Sequence, residues 1–251
     1  MFKWRRRQKY QEDQLEQQHQ QFAVTRPHHP VGVPRKFDPD GNVQRFPGNT
    51  ILCHLSPSSE LYGSMQQLYD KLAASPLAHL YALLPPPSWH MTVFDGVCDQ
   101  VRAPGSWPRD LAADAPLEAC TARFAEKLAA FDLQCGPPLR LTATAVTSQL
   151  FGICVNLRLQ TADEESRFRT LRDLLADALQ IRHPHHANYG LHLSMAYYLS
   201  YLDQAQADEI ATLLADHFRD MPKEFELGAP EFCTFENMSQ FDRLFYLKNQ
   251  G

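Results

Sequence analysis

Trp89-His90-Met91-Thr92-Val93-Phe94 and its echo Leu191-His192-Leu193-Ser194-Met195-Ala196-Tyr197 share one pattern: histidine, apolar residue, hydroxyl, apolar residue, within a β-compatible run. Side chains on a strand alternate faces, so His90 and Thr92 point one way while Met91 and Val93 point the other. By the same parity His192 and Ser194 share a face opposite Leu193 and Met195. Side by side, two such strands present two imidazoles and two hydroxyls to one space, supplying an acid, a base and two donors for an anion. One copy alone is an ordinary structural histidine on a strand. Two copies about a hundred positions apart, each in a similar strand-and-helix surround, have the pattern of a duplicated lobe.

Outward from the first copy, Asn49 to Leu55 reads as a strand, and Pro57-Ser58-Ser59-Glu60 opens a helix whose apolar face is Leu61, Met65, Leu68, Tyr69 and Leu72. Ala78 to Leu83 is a short strand, and Pro85-Pro86-Pro87 predicts an extended connection that aims His90. A Pro- and Gly-rich loop over 99–114 leads to a helix near 116–131. Strands over 139–147 and 150–159 follow around a turn at Thr147-Ser148-Gln149. The plan then repeats. A helix over 163–181 turns Phe168, Leu171, Leu174, Leu175 and Leu179 inward, and the second motif strand follows. A helix capped by Asp203 and closing strands over 232–236 and 244–248 complete the chain. This order predicts an α+β fold. By strand parity Phe94 joins the face of His90 and Tyr198 that of His192 if no bulge intervenes, either to stack on a base or to fill the lobe interface. Simple alternation puts Tyr197 on the opposite face.

With 251 residues, 44% of them apolar, the chain can bury a large core, and no stretch has the length of a membrane span. No apolar segment of secretory type opens it, so a soluble, cytoplasmic protein is expected. The six cysteines form no Cys-x-x-Cys pair and are read as buried thiols. Net charge is −5, yet Lys3, Arg5, Arg6, Arg7 and Lys9 all fall in the first ten residues, leaving 19 basic against 29 acidic residues, or −10, for the remainder. So acidic a body is a poor match for long duplex nucleic acid, whose binding rests on phosphate neutralisation. Residues 1–24 read as a basic, Gln-rich appendage, disordered or helical, and 25–251 as a single bilobal domain.

The paired motif resembles the two-histidine (2H) phosphoesterases. Lys36-Phe37-Asp38-Pro39-Asp40-Gly41-Asn42-Val43, Phe46-Pro47-Gly48-Asn49-Thr50-Ile51-Leu52-Cys53-His54-Leu55 and Ser88 to Val97 are similar to a domain-of-unknown-function branch of that superfamily. The resemblance runs from about Gly32 to the C-terminus. It implies two pseudo-symmetric lobes, with antiparallel-rich sheets flanking a central cleft and helices on the outer faces. His90 and His192 are the expected catalytic pair, with Thr92 and Ser194 holding phosphate. Asn49, Thr50, Phe94, Tyr197 and Tyr198 are candidate substrate contacts. The expected activity is hydrolysis of a cyclic phosphate or phosphodiester of a nucleotide or short RNA end, by a monomer without cofactor or metal. His183-Pro184-His185-His186 reads as a solvated loop near the cleft mouth rather than a metal cluster, since no carboxylate or cysteine follows at ligand spacing. Two other classes remain open: a non-catalytic module binding a nucleotide or RNA end in the same cleft, and a structural protein whose histidines only pack.

Overall fold

The computed structural model describes residues 27–134 and 138–249. The appendage expected over 1–24, and Cys135, lie outside the described residues. Among the described residues the elements run β1 (Gly48–His54), α1 (Glu60–Ala73), β2 (Tyr81–Leu83), β3 (His90–Cys98), α2 (Leu117–Ala129), β4 (Leu139–Gln149), β5 (Gly152–Leu159) and α3 (Ala162–Leu179). They continue with β6 (His192–Tyr198), α4 (Gln204–Asp220), β7 (Glu224–Leu227), β8 (Glu231–Asn237) and β9 (Gln240–Tyr246).

All strand pairings are antiparallel, in the order β7-β4-β5-β6-β3-β1-β8-β9, with β2 added to the C-terminal half of β6. The order is symmetric about its middle. In each half a strand (β1, β5) leads through a helix (α1, α3) to a motif strand (β3, β6) that returns antiparallel beside it. The halves meet where β3 and β6 share one registered pair, Met91 with Leu193. The α+β fold with two pseudo-symmetric lobes is therefore observed, as a single curled sheet pinched at its centre.

Burial follows the helical and strand periods. Leu61, Met65, Leu68 and Leu72 of α1, Phe124 and Leu128 of α2, Phe168, Leu171, Leu175 and Leu179 of α3, and Ile210 and Leu214 of α4 join Met91, Val93, Leu193 and Met195 in one core. The helices thus cover one face of the sheet, and the motif hydroxyls and imidazoles are left on the other. Capping boxes start α3 (Thr161 with Glu164) and α4 (Asp203 with Gln206), satisfying backbone donors that have no partner within the helix.

A second, smaller core lies on the site's side of the sheet. There Val33, Phe37 and Phe46 pack on Ala82, Leu84, Leu199, Phe235 and Met238. The segment 27–46 is thereby a strap across both halves. His29 Nδ1 donates to Leu199 O over 3.1 Å at one end, and Phe46 N donates to Glu236 O over 2.8 Å at the other.

Several local expectations differ from the structure. Pro86 to Ser88 close a 3-10 turn rather than an extended link, because prolines are accepted in the first turn of a helix. Ala78–Leu80 is likewise a 3-10 turn before β2. The β4–β5 turn falls at Leu150-Phe151, two residues exposed at its tip, because Thr147, Ser148 and Gln149 keep their ladder partners. β7 has no counterpart among the expected strands, since Glu-Phe-Glu-Leu is too short to stand out. β9 begins at Gln240, earlier than expected. No helix among the described residues is long and apolar enough to cross a membrane.

Candidate functional site

β3 and β6 bring the four motif residues together. Continuing the Met91–Leu193 register by one residue in each direction sets His90 opposite Ser194 and Thr92 opposite His192. Each imidazole therefore lies across from the other strand's hydroxyl. All four line one cavity of about 380 Å³. The rings are held alike: His90 Nδ1 lies 2.6 Å from Ser88 O, and His192 Nδ1 lies 2.9 Å from Gly190 O. A carbonyl only accepts, so Nδ1 carries the hydrogen in each neutral ring and Nε2 keeps the lone pair.

Both motif strands carry a β-bulge three residues after the histidine. Along β3, Leu52 pairs with Thr92 but Ile51 with Phe94, leaving Val93 extra. Along β6, Cys154 pairs with Ser194 but Ile153 with Ala196, leaving Met195 extra. One extra residue inverts the parity of all that follows. Phe94 consequently turns into the core at 0% exposure, and Asp95 takes the cavity position. Tyr198 is likewise buried, hydrogen-bonded to Ser148 over 2.7 Å, while Tyr197 lines the cavity. Phe94 and Tyr198 are thus removed from the candidate contacts, and Tyr197 stays among them on the face that simple alternation denied it.

A bulge frees backbone groups that must find partners when buried. In β6, Leu84 N donates to Met195 O over 2.8 Å. In β3 a side chain does the equivalent work: Arg172 of α3, 1% exposed, donates through Nη1 to Val93 O, and Thr50 Oγ1 donates to Phe94 O over 3.2 Å. The Arg172 guanidinium lies 4.2 Å from the Tyr189 ring centroid. Tyr189 in turn hydrogen-bonds the Thr92 side chain and lines the cavity 6.1 Å, centroid to centroid, from His192. Burial raises the Tyr189 phenol well above its ordinary value, so it is a neutral hydrogen-bonding group.

The two histidines differ in surroundings. The Phe241 ring meets His90 edge-on at 4.2 Å, and His54 faces it at 6.3 Å. The pKa of His90 is pulled down to about 4, chiefly by burial and further by the charges of His54, His192 and Lys36 against the Ser88 carbonyl. His90 is therefore a neutral imidazole at physiological pH.

Asn49 and Thr50 line the cavity but are committed to the fold. Asn49, 1% exposed, accepts from Val97 N over 3.2 Å and donates to Thr121 Oγ1 over 3.0 Å. The histidine-rich loop is only partly solvated. His183 Nε2 lies 3.0 Å from both Asp95 O and Gly96 O and lines the cavity. His186 is buried against Asp173 at 2.9 Å, and only His185 is exposed.

Among the described residues, His54, Glu231 and Cys233 alone form a cluster of metal-ligand type, with donor atoms within 4.8 Å of one another. Glu231 is already bound to His54 at 2.9 Å and to Arg243 at 3.2 Å. Burial, then Glu231, pushes the Cys233 thiol up to about 12. This set is locked by its own contacts and lies outside the cavity lining.

Sequence reasoning missed Lys36, Asp95, Tyr189 and Phe241, all on the cavity wall, and Arg172 behind it, whereas His183 lines the cavity from the loop expected near the cleft mouth. Position relative to the motif could have indicated Asp95 and Tyr189, each three residues from a motif residue. The others come from distant segments that carry no local pattern.

Fold and cleft together define a bilobal scaffold with one histidine and one hydroxyl from each half. Residues 36–151 match the family model 2H-phosphodiest, described as a domain of unknown function (DUF1868). Over these residues, which include the first motif, the resemblance to that branch of the two-histidine superfamily is borne out. No curated protein matches the chain. Among solved structures, a conserved protein of unknown function from Agrobacterium tumefaciens, ATU0111, superposes with a TM-score of 0.81 at 27% identity, over 90% of this chain and 96% of that one. TT0787 of Thermus thermophilus gives a TM-score of 0.46 at 11% identity, over 81% and 99%. E. coli LigT complexed with ATP gives 0.44 at 10%, over 82% and 99%.

Proposed function

We propose that the cleft hydrolyses a cyclic phosphate or phosphodiester of a nucleotide or short RNA end by two-histidine acid–base catalysis. One observation carries this reading: both Nδ1 atoms are pinned by carbonyls two residues back, which leaves both Nε2 atoms for the one cavity that also holds Thr92 and Ser194. His90, neutral above about pH 4, fits the base. It takes a proton from water as the water oxygen forms the new P–O bond. The imidazolium of His192 gives its proton to the ribose oxygen as the old P–O bond breaks. Thr92 and Ser194 donate to the phosphoryl oxygens, whose charge grows in the five-coordinate state. The scheme uses only side chains of this chain.

The test is hydrolysis of nucleoside 2′,3′-cyclic phosphates and short cyclic-ended RNAs in EDTA. Turnover by wild type, lost in His90→Ala and His192→Ala while both remain folded, supports the reading. Saturable binding without product would make the protein a binding module instead. Histidine variants that lose only thermal stability would mark the residues as structural.

A further inference from the structure

The strap over 27–46 sends one charged side chain into the cavity. Lys36 Nζ donates to Tyr197 Oη over 2.7 Å and sits 4.4 Å from the centroid of that ring and 5.4 Å from that of Phe46. Among the described residues no carboxylate comes within ion-pair distance of it. A half-buried ammonium held by aromatic faces and one phenol is incompletely satisfied, because it has three donors and uses one. Tyr197, accepting from Lys36, keeps its own O–H to donate. The pair therefore offers an anion at least two unused donors and a positive charge.

The strap holds this cation in place. Phe37, next in sequence, is 3% exposed with its ring 5.7 Å from Tyr197, and Lys36 O accepts from Gln44 N over 2.8 Å. Among the described residues Asp95 is the one carboxylate on the cavity wall, and it is the leading charge that supports buried Arg172, so its field is compensated from behind. Among the described residues Lys36 is left as the uncompensated fixed charge of the wall. The reacting diester does not need it, since two hydroxyls and two imidazoles already surround that position.

We infer that Lys36 and Tyr197 form a second anion subsite, so that the preferred substrate carries a further phosphate beside the one that reacts. Phe46 and Phe235, on the same wall, supply apolar cover for the sugar or base between the two groups. The inference rests on the phosphoesterase reading for its reaction and on Lys36, with Tyr197, for its selectivity.

The experiment compares nucleoside 2′,3′-cyclic phosphates with and without a 5′-phosphate. Wild type is expected to favour the 5′-phosphorylated compound in kcat/KM by about tenfold or more, the contribution of one charge-assisted hydrogen bond. Lys36→Met should collapse that ratio to near one, Lys36→Arg should keep most of it, and Tyr197→Phe should reduce it. A ratio unchanged in Lys36→Met, or no preference in an active wild type, overturns the subsite while leaving the phosphoesterase standing. If wild type turns over neither compound, calorimetric binding of adenosine 3′,5′-bisphosphate against adenosine 3′-monophosphate decides. Tighter bisphosphate binding that Lys36→Met abolishes keeps the subsite and removes the reaction; equal binding removes the subsite as well.

Discussion

β3 and β6 carry the same device in different settings. Each has histidine, core residue, hydroxyl and bulged residue in order, and each fixes its imidazole to the carbonyl two residues earlier. Beyond the bulge they part: the cavity receives Asp95 from β3 and Tyr197 from β6. The bulged carbonyl is satisfied by buried Arg172 in one half and by the backbone of Leu84 in the other. His90 has the Phe241 ring against it at 4.2 Å, whereas His192 has Tyr189 alongside at 6.1 Å. A repeated strand thus fixes where the two imidazoles sit, and the unrepeated neighbours set His90 apart by pulling its pKa down. Equal geometry with unequal environment is what the proposed acid and base need.

The widest break of this pairing comes from removing either imidazole. His90→Ala and His192→Ala are each expected to lower kcat/KM by ~10²–10⁴-fold, the usual contribution of a positioned acid or base, with little change in melting temperature. In the proposed reaction the two act in one step, so the double variant should cost far less than the product of the single losses. Loss from one histidine only would show that the halves do not share the chemistry. Thr92→Ala and Ser194→Ala come next, at roughly 10²-fold each if both hydroxyls meet the developing phosphoryl charge. Thr92→Ala also strips Tyr189 of a partner, so its effect should be the larger of the two.

Acidity sharpens the comparison further. Burial disfavours the His90 imidazolium, so the neutral base should persist to low pH and the acidic limb of kcat/KM should fall near pH 4. Phe241→Ala opens the covered side of the ring to more water and should move that limb upward, toward the ordinary histidine range. A limb that does not respond to Phe241→Ala would assign the base elsewhere. Stability has the matching sign: with the folded pKa below the unfolded one, the contribution of His90 is complete above about 6.5 and is lost as pH falls toward 4.

The repeated parts of this molecule were readable and the unrepeated parts were not. Two copies of His-x-Thr/Ser at strand parity point to the cleft, and apolar spacing locates the four helices, because both signals are local and periodic. The bulges have no such signal. Val93 and Met195 are ordinary apolar residues, and only the register against β1 and β5 makes them extra, so the expected faces of Phe94, Tyr197 and Tyr198 were inverted. Arg172 has the sequence appearance of a solvated helix residue and is buried only because a bulged carbonyl waits beneath it. Lys36 comes from a strap whose path is set by contacts with Leu199 and Glu236, far away in sequence.

The smallest effect separates fold from site on β1. Asn49 belongs to the run that resembles the family, and a substrate role predicts that Asn49→Ala raises KM. Its amide is instead spent on Val97 N and Thr121, on the side of β1 that faces the second register slip of β3. Gly96 shows how tight that junction is: a Cβ there would come within 2.2 Å of Asn49 Oδ1 and 2.3 Å of its carbonyl oxygen. Asn49→Ala should therefore leave the buried Val97 N–H without a partner, costing ~1–3 kcal/mol of stability. In a chain of this size that lowers the melting temperature by several degrees, with KM for the cyclic phosphate held. Tyr198→Phe, which loses only the bond to Ser148, should cost ~1 kcal/mol in the same way. An Asn49→Ala protein with an intact melting temperature and a raised KM would return this residue to the substrate. It would also leave the slip at Gly96 and Val97 supported by backbone pairing alone.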